Sequence, residues 1–80
     1  MKDIIQLLSS YVQLPELPEE ELRFLDLQSY GLDSIKTITL ILDIEEKFNL
    51  VFPDELLLFE NLATPFQIME TIRKINMLSS

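Results

Sequence analysis

Apolar side chains recur along this chain at helical spacing. Ile4, Ile5, Leu8, Tyr11 and Val12 fall three or four positions apart and predict a first amphipathic helix over about Lys2–Val12. Asp3 suits the positive end of its dipole. Pro15 and Pro18 then stop the pattern, because proline cannot continue the hydrogen-bond ladder. Leu14 to Asp33 reads as a long connection in which Pro18, followed by Glu19, Glu20 and Glu21, opens one short helical turn. Leu22, Phe24, Leu25 and Leu27 are too apolar for a free loop and are expected to lie across the helices, sealing one end of the core.

The strongest periodicity runs from Ile35 to Phe48. At about 100° per residue, Lys36, Thr39, Asp43, Glu46 and Lys47 share one arc, and the isoleucines, leucines and Phe48 spread over the rest. That apolar arc is wider than the stripe of a little over 100° that a single packing face needs. Part of it must meet further core or another molecule. Asn49 tolerates the left-handed terminus that ends such a helix. Pro53-Asp54-Glu55 opens a short third helix carried by Leu56, Leu57, Leu58 and Phe59. Thr64-Pro65 is a cap followed by a first-position proline. Phe66, Met69, Ile72 and Ile75, widened by Ile68, carry the last helix to about Asn76, with Arg73 and Lys74 near its negative end. No strand pattern of useful length occurs. The fold class is all-α: a small four-helix bundle with a long first loop and a short third helix, one domain over residues 1–80.

Composition narrows the chemistry. Of 80 residues 48% are apolar, enough for one modest core, and the net charge is −8 with only six Lys and Arg. Nucleic acid and anionic lipid are poor partners for such a chain; a protein with a basic surface is the electrostatic complement. The chain holds no cysteine and no histidine. Disulfides, thiol or imidazole catalysis and nearly all zinc sites are thereby excluded. The acids around Asp43 and Asp54 lack the alternating order about a glycine that a calcium loop needs, so no metal site is expected. Glu19-Glu20-Glu21 reads as a solvated turn. Met1-Lys2-Asp3-Ile4 does not begin a signal peptide, and no apolar run approaches a membrane span. A cytoplasmic monomer is expected.

The only glycine, Gly31, sits in Tyr30-Gly31-Leu32-Asp33-Ser34-Ile35, directly before the most periodic segment. It supplies backbone freedom at a turn. The turn places a serine at the mouth of a helix beside a carboxylate. Ser34 there is either a plain N-cap, a role Asp33 fills equally well, or a hydroxyl held out for modification.

These residues, taken in order, resemble the acyl carrier and peptidyl carrier protein family. Gly31-Leu32-Asp33-Ser34-Ile35 is similar to its attachment motif, preceded by Leu25-Asp26-Leu27. Ile44-Glu45-Glu46-Lys47-Phe48 ends the following helix. Phe52-Pro53-Asp54-Glu55 and Thr64-Pro65 followed by Phe66 to Ile72 are similar to the openings of its last two helices. The resemblance covers essentially the whole chain. It implies 4′-phosphopantetheine on the Ser34 hydroxyl, transferred from coenzyme A by a phosphopantetheinyl transferase, with Asp33 as the contact for that transferase and its metal and Gly31 and Leu32 framing the site. The arm's thiol would hold an acyl or aminoacyl group as a thioester, and the chain itself would catalyse nothing. Partners would be an acyl- or aminoacyl-loading enzyme and downstream synthase or tailoring enzymes. These would dock on Ile35 and Leu42, flanked by Glu45 and Glu46.

Lys36 and Thr39 stand where fatty-acid carriers often have acids. This points toward a discrete carrier of a polyketide, nonribosomal peptide or related pathway. Carriers of this type can fold an acyl chain between the second helix and the others, and Leu40, Ile44, Phe59, Leu62 and Ile68 would make that possible here; a cargo left exposed is the alternative. The alternative is a helical interaction module of the same fold that is never modified, an adaptor or subunit.

Overall fold

The computed structural model describes residues 2–79; Met1 and Ser80, the ends of the expected domain, lie outside them. Four α-helices occur among the described residues: α1 Lys2–Leu8, α2 Glu19–Leu22, α3 Ser34–Phe48 and α4 Pro65–Ser79. Three 3₁₀ turns join them, at Leu27–Tyr30, Asp54–Leu56 and Phe59–Leu62, and no strand is present among the described residues. The fold is all-helical, as the apolar spacing requires.

α1 is shorter than its periodicity predicts. Its pattern runs to Val12, but the helix stops at Leu8, where Ser9 and Ser10 follow. The Ser9 hydroxyl donates to Gln6 O at 2.6 Å, and the Ser10 amide has tightened to Leu7 O. Serines compete with the helical ladder in this way. Val12 still reaches the core through a turn, its amide bonded to Leu8 O.

The long connection is ordered by three devices. Asp26 accepts from the amide of Gln28 and the hydroxyl of Ser29, which starts the Leu27–Tyr30 turn. Gly31 then takes φ 102°, a left-handed conformation, and lets the Leu32 amide return to Leu27 O. Two backbone bonds, Leu27 N–H to Ala63 O and Phe66 N–H to Arg23 O, fasten the segment to the start of α4. Leu27 and Leu32 are buried, and Leu22 and Leu25 half-buried, as seals of the core. Phe24 departs from that expectation. It is 62% exposed and lies against Phe66, ring centroids 5.2 Å apart, with the Arg23 guanidinium over both rings.

α3 buries Thr37, Leu40 and Ile44, and the last two join Ile4, Leu8, Ile68, Ile72 and Ile75 of α1 and α4 in one core completed by Val12, Leu27, Leu32, Phe52 and Leu62. The helix ends at Asn49 in the left-handed conformation, φ 52°. The third helical stretch forms as two 3₁₀ turns broken at Leu57 and Leu58, the latter extended at φ −119°, ψ 142°. Half-buried Leu56 and buried Leu62 are six residues apart, which an unbroken α-helix would place about 120° apart around its axis. The break lets both turn inward, and the Asn61 side chain caps the interruption by donating to Leu56 O at 3.0 Å. α4 opens as its sequence predicts, Thr64 Oγ1 accepting from Gln67 N–H, and continues three residues past Asn76.

Candidate functional site

The turn at Gly31 delivers the chain to α3 with Asp33 in extended conformation, and the Asp33 carboxylate accepts the Lys36 amide at 2.8 Å. The cap of α3 is therefore Asp33. Ser34 is the first helical residue. It is exposed, and its hydroxyl makes no hydrogen bond to any described residue. A free oxygen at the start of a 15-residue helix sits where unpaired amides and the dipole favour a phosphate. The site's chemistry thus fits a phosphodiester at Ser34 Oγ.

Beside Ser34 lies an apolar groove of about 210 Å³. Its α3 wall is formed by Ser34, Thr37, Ile38 and Ile41. Leu57, Leu58, Phe59 and Leu62 of the broken third stretch form the other. On the outer face of α3, Ile35, Ile38 and Leu42 are 76%, 61% and 59% exposed. The excess apolar arc read from the sequence thus meets solvent, on the side of α3 away from Leu40 and Ile44. No Asp or Glu occurs within Ser34–Leu42; the acids of α3 are Asp43, Glu45 and Glu46.

The remaining site residues are placed differently from one another. Leu32 is a core residue, 4% exposed, so its side chain supports the turn from within and does not reach the surface around Ser34. Gly31 acts through its backbone alone. Glu46 is exposed, whereas Glu45 is half-buried and accepts the Phe52 amide at 2.8 Å. Glu45 fastens the link after α3 and is not a free carboxylate of the outer face. Asp43 is likewise engaged, by the hydroxyl of Tyr11. Leu40, Ile44 and Ile68 are fully buried and do not line the groove; of the five residues expected around a cargo, Phe59 and Leu62 do. Leu57 and Leu58, read only as part of a helix, and Thr37, left out of the apolar arc, are further groove residues. The helical wheel itself carries the signal for Thr37, which falls between Leu40 and Phe48.

Comparison with known proteins bears on the family. A family profile described as "Phosphopantetheine attachment site" matches residues 3–72. The chain belongs to that family, the carrier-protein domains that bear 4′-phosphopantetheine and are not themselves catalytic. A relative from Agrobacterium fabrum (strain C58 / ATCC 33970), named "Aminoacyl carrier protein", is 35% identical over 72 residues. The match spans 90% of this chain and 87% of the relative. No helix among the described residues is long and apolar enough to cross a membrane.

Proposed function

We propose that this protein is a discrete aminoacyl carrier whose 4′-phosphopantetheine is esterified to Ser34. The observation that carries the reading is the division of labour between neighbours: Asp33 caps α3, which leaves the Ser34 hydroxyl exposed and without an internal partner. In the transfer, Ser34 Oγ forms a bond to the phosphorus next to the pantetheine arm of coenzyme A. Adenosine 3′,5′-bisphosphate leaves, and the serine proton passes to the transferase. The second oxygen of Asp33, which bonds no described residue, faces the metal of that transferase. When bound, the arm supplies a thiol, the group that a chain without cysteine lacks.

The relative's name favours an aminoacyl over a fatty acyl cargo. The acid-free first half of α3 supports the same preference, in a polyketide, nonribosomal peptide or related pathway. Ile35, Ile38 and Leu42 are the face on which the transferase, the loading enzyme and the downstream enzymes dock, with Glu46 at its edge. Glu45 belongs to the fold. The chain acts as a monomer in the cytoplasm.

The test is incubation of the apo protein with coenzyme A and a promiscuous transferase, followed by intact mass measurement. A gain of one phosphopantetheine that disappears in Ser34→Ala is the expected result. Failure to gain mass with several transferases would instead favour the unmodified interaction module.

A further inference from the structure

Arg23, Phe24 and Phe66 form a cluster to which attachment at Ser34 gives no task. The Arg23 guanidinium carbon lies 5.4 Å from the centroid of the Phe24 ring and 5.2 Å from that of Phe66. Aromatic faces attract a cation placed over them, so the two rings hold the guanidinium plane in position. Its Nε is buried and has no hydrogen-bond partner. The two Nη groups bond no described residue either and are not among the buried atoms, so they open to solvent. Glu19, Glu20 and Glu21 of α2 leave this cation unpaired; the one ion pair among the described residues joins Glu70 to Arg73.

The Phe24 ring stands 62% exposed beside that cation. A ring kept only to fasten its loop has little to add here. Phe66 N–H to Arg23 O at 2.8 Å and Leu27 N–H to Ala63 O at 2.9 Å already fasten it. The same series of backbone bonds runs on to the attachment turn, where Leu32 N–H returns to Leu27 O at 3.0 Å, two residues before Ser34. The cluster thus belongs to the Ser34 end of the bundle.

We propose that Arg23, Phe24 and Phe66 form a second docking surface, distinct from the outer face of α3, for a protein that presents an Asp or Glu beside an apolar side chain. The partner's carboxylate accepts from the two outward Nη groups, and its apolar neighbour covers the Phe24 ring. Charge complementarity selects this occupant. A chain of net charge −8 offers most partners its acids, but the unpaired group here is a cation, so the complement is reversed. A planar guanidinium fork matches a carboxylate, which a lysine in its place does not. The rings have already ordered that fork, so docking costs little further side-chain freedom. Exposed Phe beside Arg is also the composition enriched in interface centres. The surface does not depend on what Ser34 carries.

The experiment titrates the isotopically labelled full chain with three probes: acetyl-Leu-Glu-Leu-amide, its Gln counterpart and sodium acetate. Magnetic resonance signals of the Arg23 side-chain N–H groups and of the Phe24 and Phe66 rings report the surface. The Glu peptide is expected to shift these signals together and to leave the methyl signals of Ile35 and Leu42 in place. The Gln peptide and acetate are each expected to bind about tenfold more weakly, one lacking the charge and the other the apolar flanks. Arg23→Lys and, at the exposed position, Phe24→Ser are each expected to weaken the Glu peptide by a similar factor. Equal binding of the Glu and Gln peptides, or shifts confined to α3, overturn the proposal. Binding of acetate as tight as that of the Glu peptide makes the cluster a carboxylate site and not a docking surface. Unchanged binding of the Glu peptide by a folded Phe24→Ser, or no shift with any probe, reduces the cluster to a fastening of the loop and likewise overturns it.

Discussion

Glu45 Oε2 accepts the Phe52 amide across 2.8 Å, while the carbonyl of the same Glu45 receives the amide of Leu50. One residue thus fastens the chain twice as it leaves α3, and this fixes where buried Phe52 enters the core. Glu46, the next residue, is exposed.

Substituting these two neighbours therefore separates a structural carboxylate from a surface one. Glu45→Ala leaves the amide of a buried residue without its charged acceptor and is expected to cost about 1–2 kcal/mol. In a domain of this size that lowers Tm by about 4–8 °C for each kcal/mol. Glu46→Ala is expected to stay within about 0.5 kcal/mol of the parent. Thermal unfolding followed by circular dichroism reads both.

Asp33 and Ser34 divide in the opposite sense. Asp33→Ala removes the cap of α3, a loss of about 1 kcal/mol. Ser34→Ala removes no hydrogen bond to a described residue and is expected to be as stable as the parent, within about 0.5 kcal/mol. Loss of the prosthetic arm in Ser34→Ala with an unchanged Tm would exclude misfolding as the cause. A large drop in Tm for Ser34→Ala would contradict the capping geometry.

At Gly31 the space around an added Cβ is open, with no heavy atom within 4 Å, so any cost of substitution comes from the backbone at φ 102°. Gly31→Ala is expected to lose about 1–2 kcal/mol. Gly31→Asn is expected to lose less, because asparagine tolerates left-handed backbone better. Denaturant titration of the two variants, compared for midpoint at equal slope, checks the order.

Two apolar residues of α3 contrast in the same way. Leu40 is fully buried, and Leu40→Ala should cost about 2–5 kcal/mol through the cavity it leaves. Ile35, 76% exposed, should tolerate Ile35→Asp with little change in stability. The same change should lower the transferase's kcat/KM for the apo carrier about tenfold, equivalent to 1.4 kcal/mol. An unchanged kcat/KM with a folded variant would remove Ile35 from the docking face.

The elements with long, regular apolar spacing were readable in the sequence: α3, α4 and the left-handed exit at Asn49. The surplus of apolar positions on α3 was also readable, as a face that must meet something other than the core. Local hydrogen-bond competition was not. The periodicity through Tyr11 and Val12 gives no sign that Ser9 would pull its hydroxyl onto Gln6 O and end α1. Asp26 as the start of a turn, and Glu45 as an acceptor for Phe52, depend on where distant backbone amides come to lie. The third stretch has the composition of a helix, and that composition carries no mark of the break at Leu57 and Leu58. At the site, the motif around Ser34 was visible, but the groove's second wall was hidden because it is made by that break.

The interruption at Leu57 and Leu58 also divides the two walls of the groove by how firmly their amides are held. α3 carries a continuous ladder over fifteen residues, whereas the opposite wall depends on short i to i+3 closures such as Leu56 N–H to Pro53 O and Asn61 N–H to Leu58 O. Amide exchange with deuterium should therefore be fast across residues 56–61 and slow in the middle of α3. Whatever enters from the Ser34 end meets one rigid surface and one that yields at little cost.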